Sequence, residues 1–366
     1  MSLVVAIAFT VYLSAAGPLL FARGGSAPVD LGPLPAGLAS TDASACAGCH
    51  AEIAAEWRGS GHASSWTNKV FQDAYAVEPL APCRNCHAPN NDGGLPAQLA
   101  ASDGVSCNVC HVRGGHVLGV HGVTVAAHAG RVEPQLREAT FCASCHQFGF
   151  FSEVDGQQVE LAEPQQDTWG EWTRSSASRQ GISCVDCHMP RSGQGAASHR
   201  SHAFLGGRDL TMLRSAVTAT VTARREGQDV IVDARVVAAA TGHSFPTGDL
   251  FRRAEMTIRA GDAVKTLSYA RRFRDHVAVR QDGQIIRERR EVADTRVPPP
   301  GAGIAPTRQV RFVGSTVAEV TWSFDYLIMP TIDAAAGGTP VERLGLFQGT
   351  ATVATTRPDQ PTAGEE

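Results

Sequence analysis

The chain has 366 residues, a formal net charge of −4 and an isoelectric point near 6.4. Apolar residues make up 43% and charged residues 19% of the chain. It can therefore bury a sizeable core, and it is neither a disordered chain nor a polybasic nucleic-acid binder. Its length suits two domains of ordinary size and a tail.

The N-terminal residues from Leu3 to Phe21 carry no charge. A helix of this length, at ~1.5 Å per residue, would span about one bilayer core. The sequence Ser14-Ala15-Ala16 has the small residues of a signal-peptidase site. Residues 1–21 are predicted to be a signal peptide or a membrane anchor, with a buried soluble helix as a third alternative. Residues 22–41, rich in Gly, Pro, Ala and Ser, are predicted to be a flexible linker.

All ten cysteines lie in five Cys-x-x-Cys-His motifs. In chain order, motifs 1 to 5 are Cys46-Ala-Gly-Cys49-His50, Cys83-Arg-Asn-Cys86-His87, Cys107-Asn-Val-Cys110-His111, Cys142-Ala-Ser-Cys145-His146 and Cys184-Val-Asp-Cys187-His188. Two thiols three residues apart can form thioethers with the two vinyl groups of one haem, and the adjoining imidazole can bind its iron. The pattern predicts five covalently bound haem c groups, with these cysteines as attachment points and these histidines as iron ligands.

Two other uses of cysteine pairs are disfavoured. Structural zinc also uses Cys-x-x-Cys, but it gives no reason for an adjoining histidine in every motif. A disulfide framework is typical of chains much shorter than this one. Because thioether attachment of haem is normally completed outside the cytoplasm, we expect a periplasmic or extracellular protein. It would be soluble after signal cleavage or anchored in the membrane.

Residues 42–208 are predicted to form a pentahaem domain, mainly helical or irregular, in which haems replace an ordinary core. Two internal repeats support this architecture. Glu56-Trp57-Arg-Gly-Ser60 recurs as Glu171-Trp172-Thr-Arg-Ser175, and Gly104-Val-Ser-Cys107 recurs as Gly181-Ile-Ser-Cys184. The two tryptophans suit either porphyrin edges or plain core packing.

Eight histidines lie outside the motifs, which is enough to supply a second axial ligand to five irons. Methionine is a poor competitor of histidine for the second axial position, because few methionines follow the first residue of the chain. Bis-histidine ligation is therefore the expectation for most or all haems, and it implies lower potentials than histidine–methionine ligation. These histidines are His62, His116, His121, His128, His199, His202, His243 and His276.

Residues 209–355 change to a two-residue periodicity with hairpin-like breaks, and we predict an all-β, sandwich-like domain there. No catalytic constellation is recognisable in it. Its dense arginines, among them Arg271, Arg272 and Arg287, suit haem propionates, an acidic partner or a solvated strand face. Residues 356–366 are predicted to be a disordered tail.

The haem region resembles the cytochrome c554 family, in a larger pentahaem form, over about residues 42–350. The residues that carry the resemblance are Glu56-Trp57 with Ser60-Gly61-His62-Ala63, Gly104-Val105, Phe141-Cys142 with His146-Gln147, Glu171-Trp172, His188-Met189-Pro190, and His202-Ala-Phe-Leu-Gly-Gly206. The resemblance implies a fold dictated by the haems. It also implies that histidines outside the motifs ligate haems attached elsewhere in the chain.

The resemblance indicates second iron ligands residue by residue. His62 and His202 match it best, followed by His128 and by His243 at the rigid turn before Pro246. The fifth ligand is less defined, and His116 is chosen over three other histidines. Those three are His121, His199 and His276.

The expected function is electron transfer by hopping between haems, with redox proteins or a membrane electron-transfer complex as partners and no nucleic acid. The alternative is a multihaem oxidoreductase in which one open-coordination haem acts on a small nitrogen or sulfur compound. Pentahaem nitrite reductases usually carry Cys-x-x-Cys-Lys at the active haem, and neither Lys69 nor Lys265 follows such a pair. An electron-transfer protein is therefore favoured over an enzyme.

Overall fold

The structure is a computed structural model that describes residues 28–90, 103–121, 124–125, 127–154, 157–195, 198–279, 285–331 and 338–355. The predicted signal peptide or anchor, the first residues of the predicted linker and the predicted tail lie outside these residues. Within the described ranges, no helix combines the length and the apolar character needed to cross a bilayer. The described end of the predicted linker packs against the motif region, since the Val29 N–H donates to the Pro89 carbonyl at 3.0 Å and Leu31 is buried.

Short helices build much of the region that contains the motifs. They are α1 (Ala43–Ala47), α2 (Ala51–Arg58), α3 (Lys69–Val77), α4 (Ala81–His87), α5 (Cys107–His111), α6 (Ala139–His146), α7 (Thr168–Thr173), α8 (Ser176–Arg179) and α9 (Cys184–His188), with a 3-10 turn at Pro134–Arg137. The longest of these helices has nine residues. Isolated helices this short are unstable in water, so packing against something else must hold them.

The same region also contains strands that the sequence prediction did not include. They are β1 (Val112–Arg113), β2 (His116–Gly119), β3 (Thr124–Val125), β4 (His128–Val132), β5 (Gln147–Val154), β6 (Gln157–Asp167), β7 (Arg191–Ser192) and β8 (His199–Arg200). The longest pairing joins β5 and β6 into an antiparallel ribbon directly after motif 4. The predicted helical or irregular character therefore describes only part of this region.

After helix α10 (Leu210–Ala216), the chain is β-rich, as the two-residue periodicity predicted. The strands are β9 (Val217–Glu226), β10 (Asp229–Ala238), β11 (Arg252–Ala260), β12 (Ala263–Tyr269), β13 (Arg271–Val279), β14 (Ile285–Asp294), β15 (Arg308–Phe312), β16 (Glu319–Ile328) and β17 (Glu342–Thr355). Seven of them form one sheet in the order β12-β11-β16-β17-β9-β10-β15. The other two, β13 and β14, form a separate ribbon with several exposed aliphatic side chains.

The seven strands do not separate into the two sheets of a simple sandwich. Strand β17 has 14 residues, and it pairs antiparallel with β16 and parallel with β9 at Val353–Thr355. This long shared strand joins what would otherwise be two sheets, and the edge strands β12 and β15 approach each other. The result is a single, nearly closed sheet.

The apolar core of the described residues lies inside this sheet. Its fully buried side chains include Met256, Ile258 and Phe324, and the clustered buried residues run from Leu213 to Val353. Buried apolar residues before residue 209 are scattered and belong to no such cluster. The described part of the motif region therefore has no continuous side-chain core of its own, as expected of a region organised around large prosthetic groups.

Candidate haem-binding sites

The helix of each motif from 2 to 5 ends at its histidine, so the two cysteines and the histidine share one helical turn. The approach to motifs 3 and 5 is a tight turn, with Gly104 at φ +56° and Gly181 at φ +71°. A Cβ on Gly104 would lie 2.5 Å from the His62 carbonyl oxygen, so this close approach requires glycine. In motif 1, helix α1 includes Cys46, and His50 precedes the next helix.

None of the ten motif cysteines forms a disulfide, so the structure contains no disulfide framework. Among the described residues, no three His, Cys, Asp or Glu side chains converge on one point as metal ligands would. A four-ligand zinc site therefore does not fit the motifs. Free thiol pairs, each with an adjoining imidazole, fit the attachment chemistry of haem c.

Four motif histidines each face one histidine from outside the motifs. The ring centroids of these pairs lie 6.4 Å apart for His50 and His128, 6.1 Å for His146 and His62, 6.0 Å for His111 and His202, and 6.0 Å for His188 and His243. Two imidazoles bound to one iron, each through a ~2.0 Å bond, would have centroids about 6 Å apart. The four pairs therefore fit bis-histidine haem ligation. They contain the four histidines outside the motifs that the resemblance indicated best.

In several of these histidines, a backbone carbonyl lies within hydrogen-bond distance of Nδ1. Nδ1 lies 2.8 Å from the Leu118 oxygen in His111 and 2.8 Å from the Arg200 oxygen in His202. In motif 2, Nδ1 of His87 lies 2.9 Å from the Ser65 oxygen. A proton held on Nδ1 leaves the Nε2 lone pair free, which is the arrangement found in metal-ligating histidines.

Burial keeps four of these imidazoles, those of His62, His146, His202 and His243, neutral. Burial and the neighbouring histidines lower the pKa of His62 to about 3, and the same two effects lower the pKa of His146 and of His202 to about 4. Burial likewise lowers the pKa of His243 to about 4. At neutral pH, all four rings thus present an unprotonated nitrogen, as metal ligation requires.

Motif 2 differs from the other four motifs. Within the described ranges, no second imidazole faces His87. Instead, the ring of Phe71 stacks on it with a centroid distance of 3.7 Å and an interplanar angle of 7°. An iron bound by His87 would therefore have no second histidine ligand from this part of the chain.

The structure places the remaining histidines away from the motif imidazoles. His116, the fifth ligand chosen from the sequence, is exposed on the short strand β2 and faces no motif histidine. His121 and His276 are also exposed, and His276 pairs in register with Glu288 on the ribbon. His199 contacts the Glu56 carboxylate at 3.1 Å. A surface strand and an acidic partner explain these positions better than iron ligation does.

Two methionines of the β-rich region lie in its interior. Met256 and Met329 are fully buried, and Met256 belongs to the core of the nearly closed sheet. That methionine is a poor competitor for the second iron ligand stays a prediction from the sequence.

Contacts between cysteines show which motifs are neighbours. The sulfur atoms of different motifs lie close to each other in three pairs: Cys46 with Cys107, Cys86 with Cys145, and Cys142 with Cys184. Cys110 and Cys145 are also near each other. Motif 1 thus lies beside motif 3, and motif 4 lies next to motifs 2, 3 and 5.

The two repeated tryptophans hold the segments that lead into two motifs. The indole N–H of Trp57 donates to the Val105 carbonyl at 2.8 Å, and that of Trp172 donates to the Ile182 carbonyl at 2.9 Å. The sequence repeat identified these tryptophans, but not this role. Their indole N–H groups fix the backbone before motifs 3 and 5.

The β-rich arginines chiefly make protein contacts. Arg271 is buried and donates to the carbonyls of Pro164 and Gln165 at 2.7 and 3.0 Å, so it ties β13 to β6. On the exposed ribbon, Arg289 pairs with Asp275. Arg289 is half-buried on the ribbon, whereas Arg271 is a structural contact between two regions.

Comparisons with known proteins agree with this geometry. A family model described as "Cytochrome c554 and c-prime" matches residues 45–112. A penta-heme cytochrome c552 from Thermochromatium tepidum is similar in structure, with a TM-score of 0.61 and 19% sequence identity over 86% of this chain and 99% of that chain. A search of curated proteins gives no match.

The motifs, the fold and these comparisons together show that the chain resembles the multihaem cytochromes c. The chain resembles the cytochrome c554 family, as the sequence motifs predicted, and the family match implies covalently bound haem c. The structural neighbour, at 19% identity, shows a shared fold.

Proposed function

We propose that the chain binds five haem c groups and transfers electrons between redox partners. The observation that carries this proposal is the set of four imidazole pairs, each with ring centroids 6.0 to 6.4 Å apart. Two histidine ligands leave no open site on an iron, so such a centre exchanges electrons without binding substrate. Haem supplies a one-electron Fe(III)/Fe(II) couple.

The arrangement of the motifs supports a connected electron path. Contacts between cysteines place motif 1 beside motif 3, and motifs 2, 3 and 5 beside motif 4. Motif 4 is therefore the branch point of the proposed path, with motifs 1, 2 and 5 at its ends. Electrons would enter and leave at these three ends.

The proposed setting is outside the cytoplasm. Five thioether-bound haems support this location, because their attachment is normally completed there. Residues 1–21 would serve as the signal peptide or membrane anchor that directs the chain to this location. The proposed partners are redox proteins or a membrane electron-transfer complex.

Electron paramagnetic resonance on the pure protein, with haem quantified in the same sample, tests the proposal. We expect five haems per chain, at least four of them low-spin, and reversible reduction of all five by small redox mediators. Fewer than four low-spin haems would contradict the four-pair assignment. Rapid turnover of nitrite or hydroxylamine with an artificial donor would contradict a carrier function.

The environment of His87 favours a second candidate function, a redox reaction at one open haem. Among the described residues, His87 lacks the opposing imidazole that the other motif histidines have. An iron held by one histidine is typically high-spin and binds small ligands. We expect one high-spin haem per chain, and we expect cyanide to bind that haem alone and convert it to a low-spin state.

A matched pair of variants assigns this haem. Cys83→Ala with Cys86→Ala removes motif 2, and it should abolish both the high-spin signal and the cyanide response. Cys184→Ala with Cys187→Ala removes motif 5 as a control, and it should retain both. If the native protein has five low-spin haems, or if cyanide does not bind, the second candidate is wrong.

A further inference from the structure

Two short helices, α2 and α7, each contain the Glu-Trp of a repeated Glu-Trp-x-x-Ser sequence, whose serine follows the end of the helix. The two copies make similar contacts. The Trp57 and Trp172 indoles donate to the backbone before motifs 3 and 5, respectively. The buried hydroxyl oxygens of Ser60 and Ser175 each accept an N–H three residues later, at 3.2 and 3.3 Å. The sequence repeat is therefore also a repeat of geometry.

The glutamate of each helix contacts a segment far along the chain. The Glu56 carboxylate accepts the backbone N–H of His202 at 2.8 Å. The Glu171 carboxylate accepts the backbone N–H of Ser244, next to His243, at 3.1 Å, and the hydroxyl of Thr247 at 2.7 Å. In both cases the glutamate holds the loop of a histidine outside the motifs.

Each helix therefore connects the two sides of one imidazole pair. In α2, Trp57 holds the segment before motif 3, and Glu56 holds the loop of His202, whose ring faces His111 of motif 3. In α7, Trp172 holds the segment before motif 5, and Glu171 holds the loop of His243. That ring faces His188 of motif 5. The tryptophan and the glutamate act on opposite sides of the same proposed haem.

Both carboxylates have a further partner that fixes their direction. Glu171 is 2% exposed, and it forms an ion pair with Arg296, 7% exposed, at 2.7 Å. Glu56 contacts His199 at 3.1 Å. The buried Glu171 carboxylate is thereby a rigid acceptor, whereas the Glu56 side chain is 23% exposed. Loss of either carboxylate would leave a loop N–H without its partner.

We propose that Glu56 and Glu171 are positioning residues that hold His202 and His243, respectively, in place to ligate the haems of motifs 3 and 5. The inference rests on the proposed haem ligation. Beyond that ligation, the inference assigns a role to the repeated Glu-Trp unit, which sets the spacing of two imidazole pairs. Neither glutamate is expected to touch a haem iron.

Counting high-spin haems in single and double variants tests the inference. His202→Ala should add one high-spin haem per chain, and Glu56→Ala should add the same one. The double variant of Glu56→Ala and His202→Ala should then add one high-spin haem and not two. Combining Glu56→Ala with His243→Ala should add two, because that pair acts on different haems. Glu171→Ala should add one high-spin haem. Its combination with His243→Ala should also add only one, and its combination with His202→Ala should add two.

Two further variants separate positioning from a general loss of folding. Glu56→Gln keeps a side-chain oxygen that can accept the His202 N–H, and it should retain most of the low-spin signal. Glu52→Ala, an exposed residue of the same helix, should leave the spectrum unchanged. If Glu56→Ala and Glu171→Ala leave the spin count unchanged while His202→Ala and His243→Ala raise it, the positioning role is wrong. If the two histidine variants add no high-spin haem, the ligation itself is wrong, and the inference fails with it.

Discussion

Chain made without haem attachment is expected to be cleaved by trypsin within residues 42–208 at least a hundredfold faster than the matured protein. The reason is the missing core: the clustered buried apolar residues run from Leu213 to Val353, and the motif helices have nine residues or fewer. A loss of ~3 kcal/mol in the free energy of opening already gives about a hundredfold more open chain. Comparing cleavage at Arg58 and Arg137 in haem-free and matured protein measures the effect.

The cysteine-free β-rich region supplies an internal control for this prediction. Arg224 and Arg259 lie in the strands of the nearly closed sheet, whose core consists of side chains. Their cleavage rates should change much less than those at Arg58 and Arg137. Equal protection of the motif region in haem-free and matured chains would contradict the view that haems form its interior.

Local signals in the sequence explain what could be predicted. The five motifs repeat a fixed spacing, so the thiols and first imidazoles follow from the sequence alone. The alternation over Val217–Ala223 and Val230–Val237 likewise predicts a hairpin, and the structure pairs the strands Val217–Glu226 and Asp229–Ala238. In both cases the interacting residues are close in sequence, so their pattern can be recognised without the rest of the chain.

Other features depend on contacts between distant parts of the chain. Strand β17 joins β16 to β9, and nothing in its own sequence indicates that it pairs on both sides. The β5–β6 ribbon was missed because its pairing shifts register at Gly149, which breaks the regular alternation. Two-residue periodicity thus predicted strands, but not how they close into a sheet.

The second histidine of each candidate haem site likewise depends on contacts between distant parts of the chain. His202 and His243 were chosen through the family resemblance, whereas no local pattern says which motif each one faces. The roles of Glu56 and Glu171 were not predicted, although their repeat was visible, because the loops that they hold come from much later in the chain. His116 was chosen in the absence of a better candidate, and it lies exposed on a strand.

His243→Ala is expected to change ligation and stability together. His243 lies between β10 and β11 of the nearly closed sheet, and its ring faces His188 at the end of α9 in the motif region. A haem held by both residues would therefore link the two regions. The variant should gain one high-spin haem per chain and lose ~6 °C or more in melting temperature, taking ~3 kcal/mol for the lost link and ~2 °C per kcal/mol for a chain of this size.

Two variants separate the lost ligand from the loss of a histidine in general. His276→Ala removes an exposed imidazole of the ribbon, and it should change neither the spin count nor the melting temperature. His243→Met restores an axial ligand of a different kind, so it should regain a low-spin haem whose potential is higher than in the native protein. If His243→Ala retained every low-spin haem, His243 would not be an iron ligand. If His243→Ala gained a high-spin haem at an unchanged melting temperature, the haem of motif 5 would not link the two regions. Protein contacts such as Arg271 with Pro164 would then hold the β-rich region in place.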